Sequence, residues 1–161
     1  LPFLEEADRA GVAVLVMNPN LNSAGGKTIQ GQEYVTARHV VLGKIRAAVR
    51  LQGYKVVAHS AGGSCLQSIQ ETFDDTFYKM VTKIAYTDSW VIHRSCLNPD
   101  QLKFMANHAV HYVGSEEPLG TLLEAEEERT CPAVSAGHPK HEYTTGYAQE
   151  KIFEQFGYRK A

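Results

Sequence analysis

The chain has 161 residues, of which 43% are hydrophobic, and sets 16 lysines and arginines against 18 aspartates and glutamates. That is enough chain for one domain with a real core and short for two, so residues 1–161 are read as a single domain. The balanced charge offers no basic footprint for duplex nucleic acid, so no direct nucleic-acid contact is expected. Cys65, Cys96 and Cys131 form neither a CxxC pair nor an even framework, which fits a reducing, intracellular setting. The aliphatic stretch GVAVLVM is far shorter than the roughly 20 residues of a membrane span, and no membrane role is expected. The sequence opens on Leu1 rather than a methionine, inside an amphipathic pattern, so it is expected to belong to a longer protein.

Leu1, Phe3, Leu4 and Ala7 recur at helical spacing and stop at Gly11, predicting a first helix. Residues 12–17 (VAVLVM) predict a strand buried on both faces, ending in the turn NPNLNSAGG. Val35, Val40, Val41, Ile45, Ala48 and Val49 predict a helix between Glu33 and Leu51, and GYKVVAHS a second buried strand. SCLQSIQETF continues as a helix, VTKIAYTDS (81–89) gives a third strand, and NPDQLKFMANHA starts a helix with Pro99 and Asp100 at its first turn. VHYVGS (110–115) is a fourth strand. CPAVSAGHPKHEYTTG is read as a loop carrying two histidines, and YAQEKIFEQFGY as a closing helix. Strands alternating with helices predict an α/β fold, three-layer α/β/α around a mostly parallel sheet.

Ala58-His59-Ser60-Ala61-Gly62 falls where a buried strand turns into a helix. It approximates the G-x-S-x-G nucleophile elbow of α/β-hydrolases, with alanine in place of one small glycine. The plainer reading of Ser60 is a serine capping the following helix. A serine nucleophile needs a base and an orienting acid, in chain order Ser, Asp or Glu, then His. Asp88, at the tip of the third strand, is the preferred acid, with Glu117 the alternative. His141 is the preferred base, with His138 second. These residues fall at the carboxyl ends of strands, where open α/β sheets place their sites. Ala61 N–H is the candidate oxyanion donor, and Asn18, Asn20, His59 and Gly62 are the candidate pocket residues.

Other features carry less. GGKT (25–28) resembles the end of a phosphate loop, but the required first glycine falls on Leu21. His108 and His111 lack a third ligand at metal spacing, so no metal site is expected and no cofactor is implied. Glu126 to Glu128 read as a solvated face, and Cys65 as a buried rather than reactive thiol.

The blocks VLVMNPNLN, VVAHSAGG, AYTDS, VGSEEPL and CPAVSAGHPKHEYT, in this order, resemble the Argonaute-binding protein two domain family, a relative of the α/β-hydrolases. Family members are tied to an Argonaute small-RNA chaperone complex, to heterochromatin, to a splicing and chromatin regulator, and to the tail of a class II histone deacetylase. The resemblance therefore implies a nuclear, gene-silencing setting with protein partners from silencing, deacetylase or RNA-associated complexes. Its histidine-serine turn falls on His59 and Ser60, its threonine-aspartate-serine block on Thr87, Asp88 and Ser89, and its late histidine-glutamate pair on His141 and Glu142.

Such domains begin with a strand that ends in a histidine-glycine turn, and nothing before Leu1 supplies it. The expected sheet thus lacks its N-terminal strands, with a gap between the strand ending at Met17 and the one ending before His59. Groups flanking such a gap would go unpaired at about 1–3 kcal/mol each, so an upstream strand of the same or another chain is expected there. The missing turn also removes one oxyanion donor, a loss of about 100- to 1,000-fold in turnover. Three functions follow from the sequence: a hydrolase-like protein-interaction module, ranked first; a serine hydrolase acting on an ester, thioester or amide; and, ranked last, peptide or small-ligand binding in the remnant pocket, including a modified histone tail.

Overall fold

The computed structural model describes residues 2–16, 23–24, 27–28, 53–124 and 127–158. The first helix, α1 (Pro2–Arg9), ends as its glycine predicts. Gly11 takes φ of +64°, while Val12 N–H reaches Ala7 C=O at 2.8 Å and Gly11 N–H reaches Asp8 C=O at 3.0 Å. That pair of bonds satisfies carbonyls the helix leaves free, in a conformation only glycine enters without strain.

Among the described residues the central sheet has four strands: β3 (Tyr54–His59), β4 (Val81–Thr87), β5 (Ala109–Val113) and β6 (Ala133–Ser135). They lie in that order and all pair in parallel. Helix α2 (Gly62–Met80, kinked at Asp74) connects β3 to β4, and α3 (Pro99–His108) leads into β5. Asn98 starts α3 through reciprocal side-chain bonds with Gln101, and Pro99 sits where its missing N–H costs nothing. The short α4 (Thr144–Tyr147) and α5 (Gln149–Gln155) complete the chain.

Side chains alternate across β4, and both faces are covered. Ile84 and Tyr86 join Leu66, Phe77, Met105 and Ala109 in one core, against α2 and α3. Ala85 faces the other way, into a core of Tyr112, Ala136, Ala148, Ile152 and Phe156 that also takes Phe3 of α1. Helices on both faces of a parallel sheet make this an α/β fold, as the alternating pattern predicts.

Two local expectations need correction, and the GGKT segment can be placed. Residues 12–16 form no strand, and exposure runs from 40% at Val12 to 77% at Val16. Their aliphatic run has the composition of a buried strand, but among the described residues no neighbour pairs with it, and composition alone cannot close a ladder. Ala133–Ser135, read as loop, is a strand: three residues are too few to show periodicity, yet β5 templates them. Lys27–Thr28 (β2) pairs antiparallel with Ser23–Ala24 (β1), so the lysine and threonine of GGKT lie in a hairpin strand and not at a helix start. The helix expected over 33–51 lies outside the described residues.

The join between β3 and α2 is tight. A methyl group on Gly63 would lie 1.8 Å from the Trp90 carbonyl oxygen and 2.4 Å from Ser89 Oγ, and a backbone atom cannot step aside. Gly62 has room, its nearest neighbour being Ala58 Cβ at 4.0 Å. Gly63→Ala is expected to lower unfolding free energy by about 3 kcal/mol or to block folding, with Gly62→Ala within about 1 kcal/mol of the native chain in urea denaturation. Equal midpoints for the two variants would contradict this packing.

Candidate active site

The register of β3 against β4 pairs His59 with Thr87, so the next residue of each strand, Ser60 and Asp88, emerges side by side at the carboxyl end of the sheet. Both ladders run one residue past their strands: Ser60 N–H donates to Thr87 C=O at 3.3 Å and Asp88 N–H to Tyr112 C=O at 2.8 Å. Both residues then turn through left-handed backbone, φ +52° at Ser60 and +44° at Asp88. For a non-glycine residue that conformation is sparsely populated, and it persists where surroundings over-determine it. At Ser60 the surroundings are visible: its carbonyl accepts from Gly63 N–H at 3.2 Å and from Ser89 Oγ at 2.7 Å. Strand, strained serine and helix follow one another as in an elbow. Ala61 is the residue before α2, so its N–H lies among the helix-start donors that no turn of the helix uses.

Asp88 is held on both oxygens. Gly114 N–H donates to Oδ1 at 3.2 Å, and His141 Nδ1 lies 2.6 Å from Oδ2. With Nδ1–H donated to the carboxylate, the neutral His141 ring presents Nε2 as its acceptor, the tautomer a general base requires. Partial burial pushes the Asp88 carboxyl up, but the hydrogen bonds from His141 and Gly114 outweigh it, with a smaller electrostatic pull from His141 and His111 when those rings are protonated. The net result lies below the ordinary carboxylate value.

His59 fixes the other side of His141. Its Nδ1 lies 2.9 Å from Thr87 C=O, an acceptor only, so Nδ1 carries the proton. The His59 ring then faces the His141 ring at 4.6 Å between centroids, tilted by 33°. Thr87, wholly buried, ties this corner to Thr145 through a 2.6 Å hydroxyl pair. Among the described residues the Ser60 hydroxyl makes no hydrogen bond, so the serine stands beside the Asp88–His141 pair without being joined to it.

The alternatives go elsewhere. Glu117 is exposed; its backbone N–H and C=O bond Ser115 and Ser135, and among the described residues its carboxylate meets no histidine. His138 packs its ring on Tyr147 and Tyr143, at 4.4 and 5.0 Å. Gly62 opens α2, while Asn18 and Asn20 lie outside the described residues. His108 stacks on Phe104, and His111 Nε2 accepts from Ser89 N–H at 3.2 Å. Burial raises the thiol of Cys65, and pushes Cys131 up to about 12 against a weaker lowering by Arg129, so neither is primed as a nucleophile. Gly114, Thr145 and the His59–His141 ring contact were not anticipated. Gly114 lies in the VGSEEPL block and Thr145 directly follows CPAVSAGHPKHEYT, but neither had been given a role.

Compared with known proteins, the chain is similar to cotranscriptional regulators. It is 33% identical over 102 residues to the Cotranscriptional regulator ARB2A homolog of Gallus gallus and to Cotranscriptional regulator ARB2A of Homo sapiens and of Mus musculus. The matched segment is 62% of this chain and 24% of each relative, so the chain spans about a quarter of those proteins. This similarity supports the family resemblance seen in the sequence blocks. No family profile matches the chain, and no solved structure matches it significantly.

Two stability measurements test the site. Ser60→Gly is expected to gain about 1 kcal/mol by relieving the left-handed serine, read as a higher urea midpoint, whereas Ser60→Ala is expected to gain nothing. Asp88, with its folded pKa depressed, adds stability that is fully present above the unfolded carboxylate pKa of about 4 and is lost as pH falls through the lower folded value. The stability difference between the native chain and Asp88→Asn is therefore expected to be present at pH 5 and to shrink as pH falls below about 4. A difference growing toward acid would contradict the assignment.

Proposed function

We propose that this chain is an α/β-hydrolase-like module of the Argonaute-binding protein two type, working in nuclear gene regulation mainly by binding protein partners. The observation that carries the reading is the 33% identity to cotranscriptional regulators. The surface supports it. Trp90, the chain's single tryptophan, is 68% exposed although its own backbone packs on the elbow at Gly63, and exposed tryptophan is the residue type most enriched at binding hot spots. Silencing, deacetylase or RNA-associated complexes are the partner class, and a strand of the same or another chain is proposed to pair with the outer edge of β3, which has no partner among the described residues.

A second reading is favoured by one specific observation, the 2.6 Å contact of His141 with Asp88 next to a left-handed Ser60. In a serine hydrolase Ser60 would attack an ester, thioester or amide carbonyl. His141 Nε2 would take the serine proton and return it to the leaving group, Asp88 would hold the imidazolium, and Ala61 N–H would donate to the oxyanion. Such chemistry needs the Ser60 hydroxyl to swing onto Nε2, and catalytic hydrogen bonds often tighten only when substrate binds.

Labelling of the full-length protein with a fluorophosphonate probe separates the two. The interaction module predicts no labelling of folded protein, together with loss of transcription- or chromatin-associated partners on Trp90→Ala. Labelling abolished by both Ser60→Ala and His141→Ala would replace it with the hydrolase.

A further inference from the structure

Beside the Asp88–His141 pair lies a shallow groove of about 420 Å³, lined by Glu142, Tyr143, Gly146 and Tyr147. It belongs to the same turn as the candidate base, because His141–Tyr143 is a single 3₁₀ turn running into α4. Tyr143 and Tyr147 stand one helical turn apart and so share a face, leaving 47% and 53% of their surface in solvent. Gly146 leaves the floor open, since a methyl group there would meet nothing within 4 Å.

The rings are not loose. His138 packs against both, at 4.4 Å from Tyr147 and 5.0 Å from Tyr143, so the groove is formed before anything binds. Among the described residues that line it, the charge is one carboxylate, Glu142, and none is basic. Phenol faces carry negative quadrupole potential, which adds to that carboxylate. The two ring centroids are 6.5 Å apart with planes tilted by 32°, so one small cation above the midline can lie within about 6 Å of both, the range of cation–π attraction. The chain uses this chemistry itself: the Lys140 ammonium sits 5.8 Å from the Tyr143 centroid without lining the groove.

The geometry points to this groove as a binding site for an alkylammonium group, the charged head of a lysine-like side chain or of a quaternary amine, presented beside His141. An apolar wall alone would accept any hydrocarbon. A carboxylate in the same lining as two aromatic rings selects a cation with an apolar skin, which sheds water more readily than a bare metal ion. The inference needs neither Ser60 reactivity nor a particular partner, and so stands apart from both readings above.

Tetramethylammonium chloride titrated into the ¹⁵N-labelled chain tests it, with sodium chloride at equal ionic strength and tert-butanol as the uncharged isostere. Saturable shifts of the Gly146 and Tyr147 amides with tetramethylammonium alone are expected. Glu142→Gln and Tyr147→Leu should each weaken binding roughly two- to fivefold, and Tyr143→Phe, which keeps the ring, should bind as the native chain does. All three positions are exposed, and the variants' amide spectra report folding directly. An equal response to tert-butanol, or affinity unchanged in both weakening variants, overturns the assignment.

Discussion

Everything at the carboxyl end of this sheet depends on the parallel register between β3 and β4. His59 opposite Thr87 puts Ser60 opposite Asp88. Had the pairing slipped by one residue, the alternation of β4 would have turned Ile84 and Tyr86 out of their core, so the hydrophobic faces fix the register and the register places the polar ends. The two residues then leave the sheet through left-handed backbone, which swings their side chains off the strand direction. Site geometry is thus a by-product of core packing two layers deep.

Electrostatics at this corner follow from what holds each group. Asp88 sits in partial burial that penalises its charge, yet it receives one backbone N–H and one imidazole N–H, and those bonds win. His141 cannot turn freely, because Asp88 fixes one edge of its ring and His59 one face. His59 is in turn locked by a carbonyl that can only accept, behind which lies the buried Thr87–Thr145 pair. Each link fixes the tautomer or rotamer of the next, and the chain of links ends at Nε2 of the half-exposed His141 ring.

Much of this was legible in the residues, and the misses have physical causes. The α/β alternation, the glycine stop of α1 and the Pro99–Asp100 start of α3 follow from local rules that tertiary packing does not overturn. Residues 12–16 fail because strand composition and strand pairing are different things: Val14, Leu15 and Val16 suit a buried ladder and have no neighbour among the described residues to make one. β6 fails for the opposite reason, a three-residue strand imposed by β5 on a sequence with no period of its own. The choice between Asp88 and Glu117 was open in the sequence because chain order allows either. It is the left-handed turn of Asp88 and the Gly114 amide behind it that aim one carboxylate at His141 and leave the other in solvent.

The separation of Ser60 from the Asp88–His141 pair connects the two proposed readings. An elbow serine is strained by its position on a strand-to-helix turn, so its backbone is retained for as long as the fold is, whether or not the hydroxyl reacts. The pair has a structural use of its own as well. It ties the turn at residues 141–143, whose tyrosine and glutamate wall the neighbouring groove, to the end of β4 at the centre of the sheet. A charge-assisted bond between elements 53 residues apart in sequence justifies itself by fixing that surface, even in a domain where no serine attacks. Catalytic-looking geometry and a rigid recognition surface are therefore two consequences of one contact. What distinguishes an enzyme here is the remaining step, transfer of the Ser60 proton to His141, for which the fold supplies proximity but no standing hydrogen bond among the described residues.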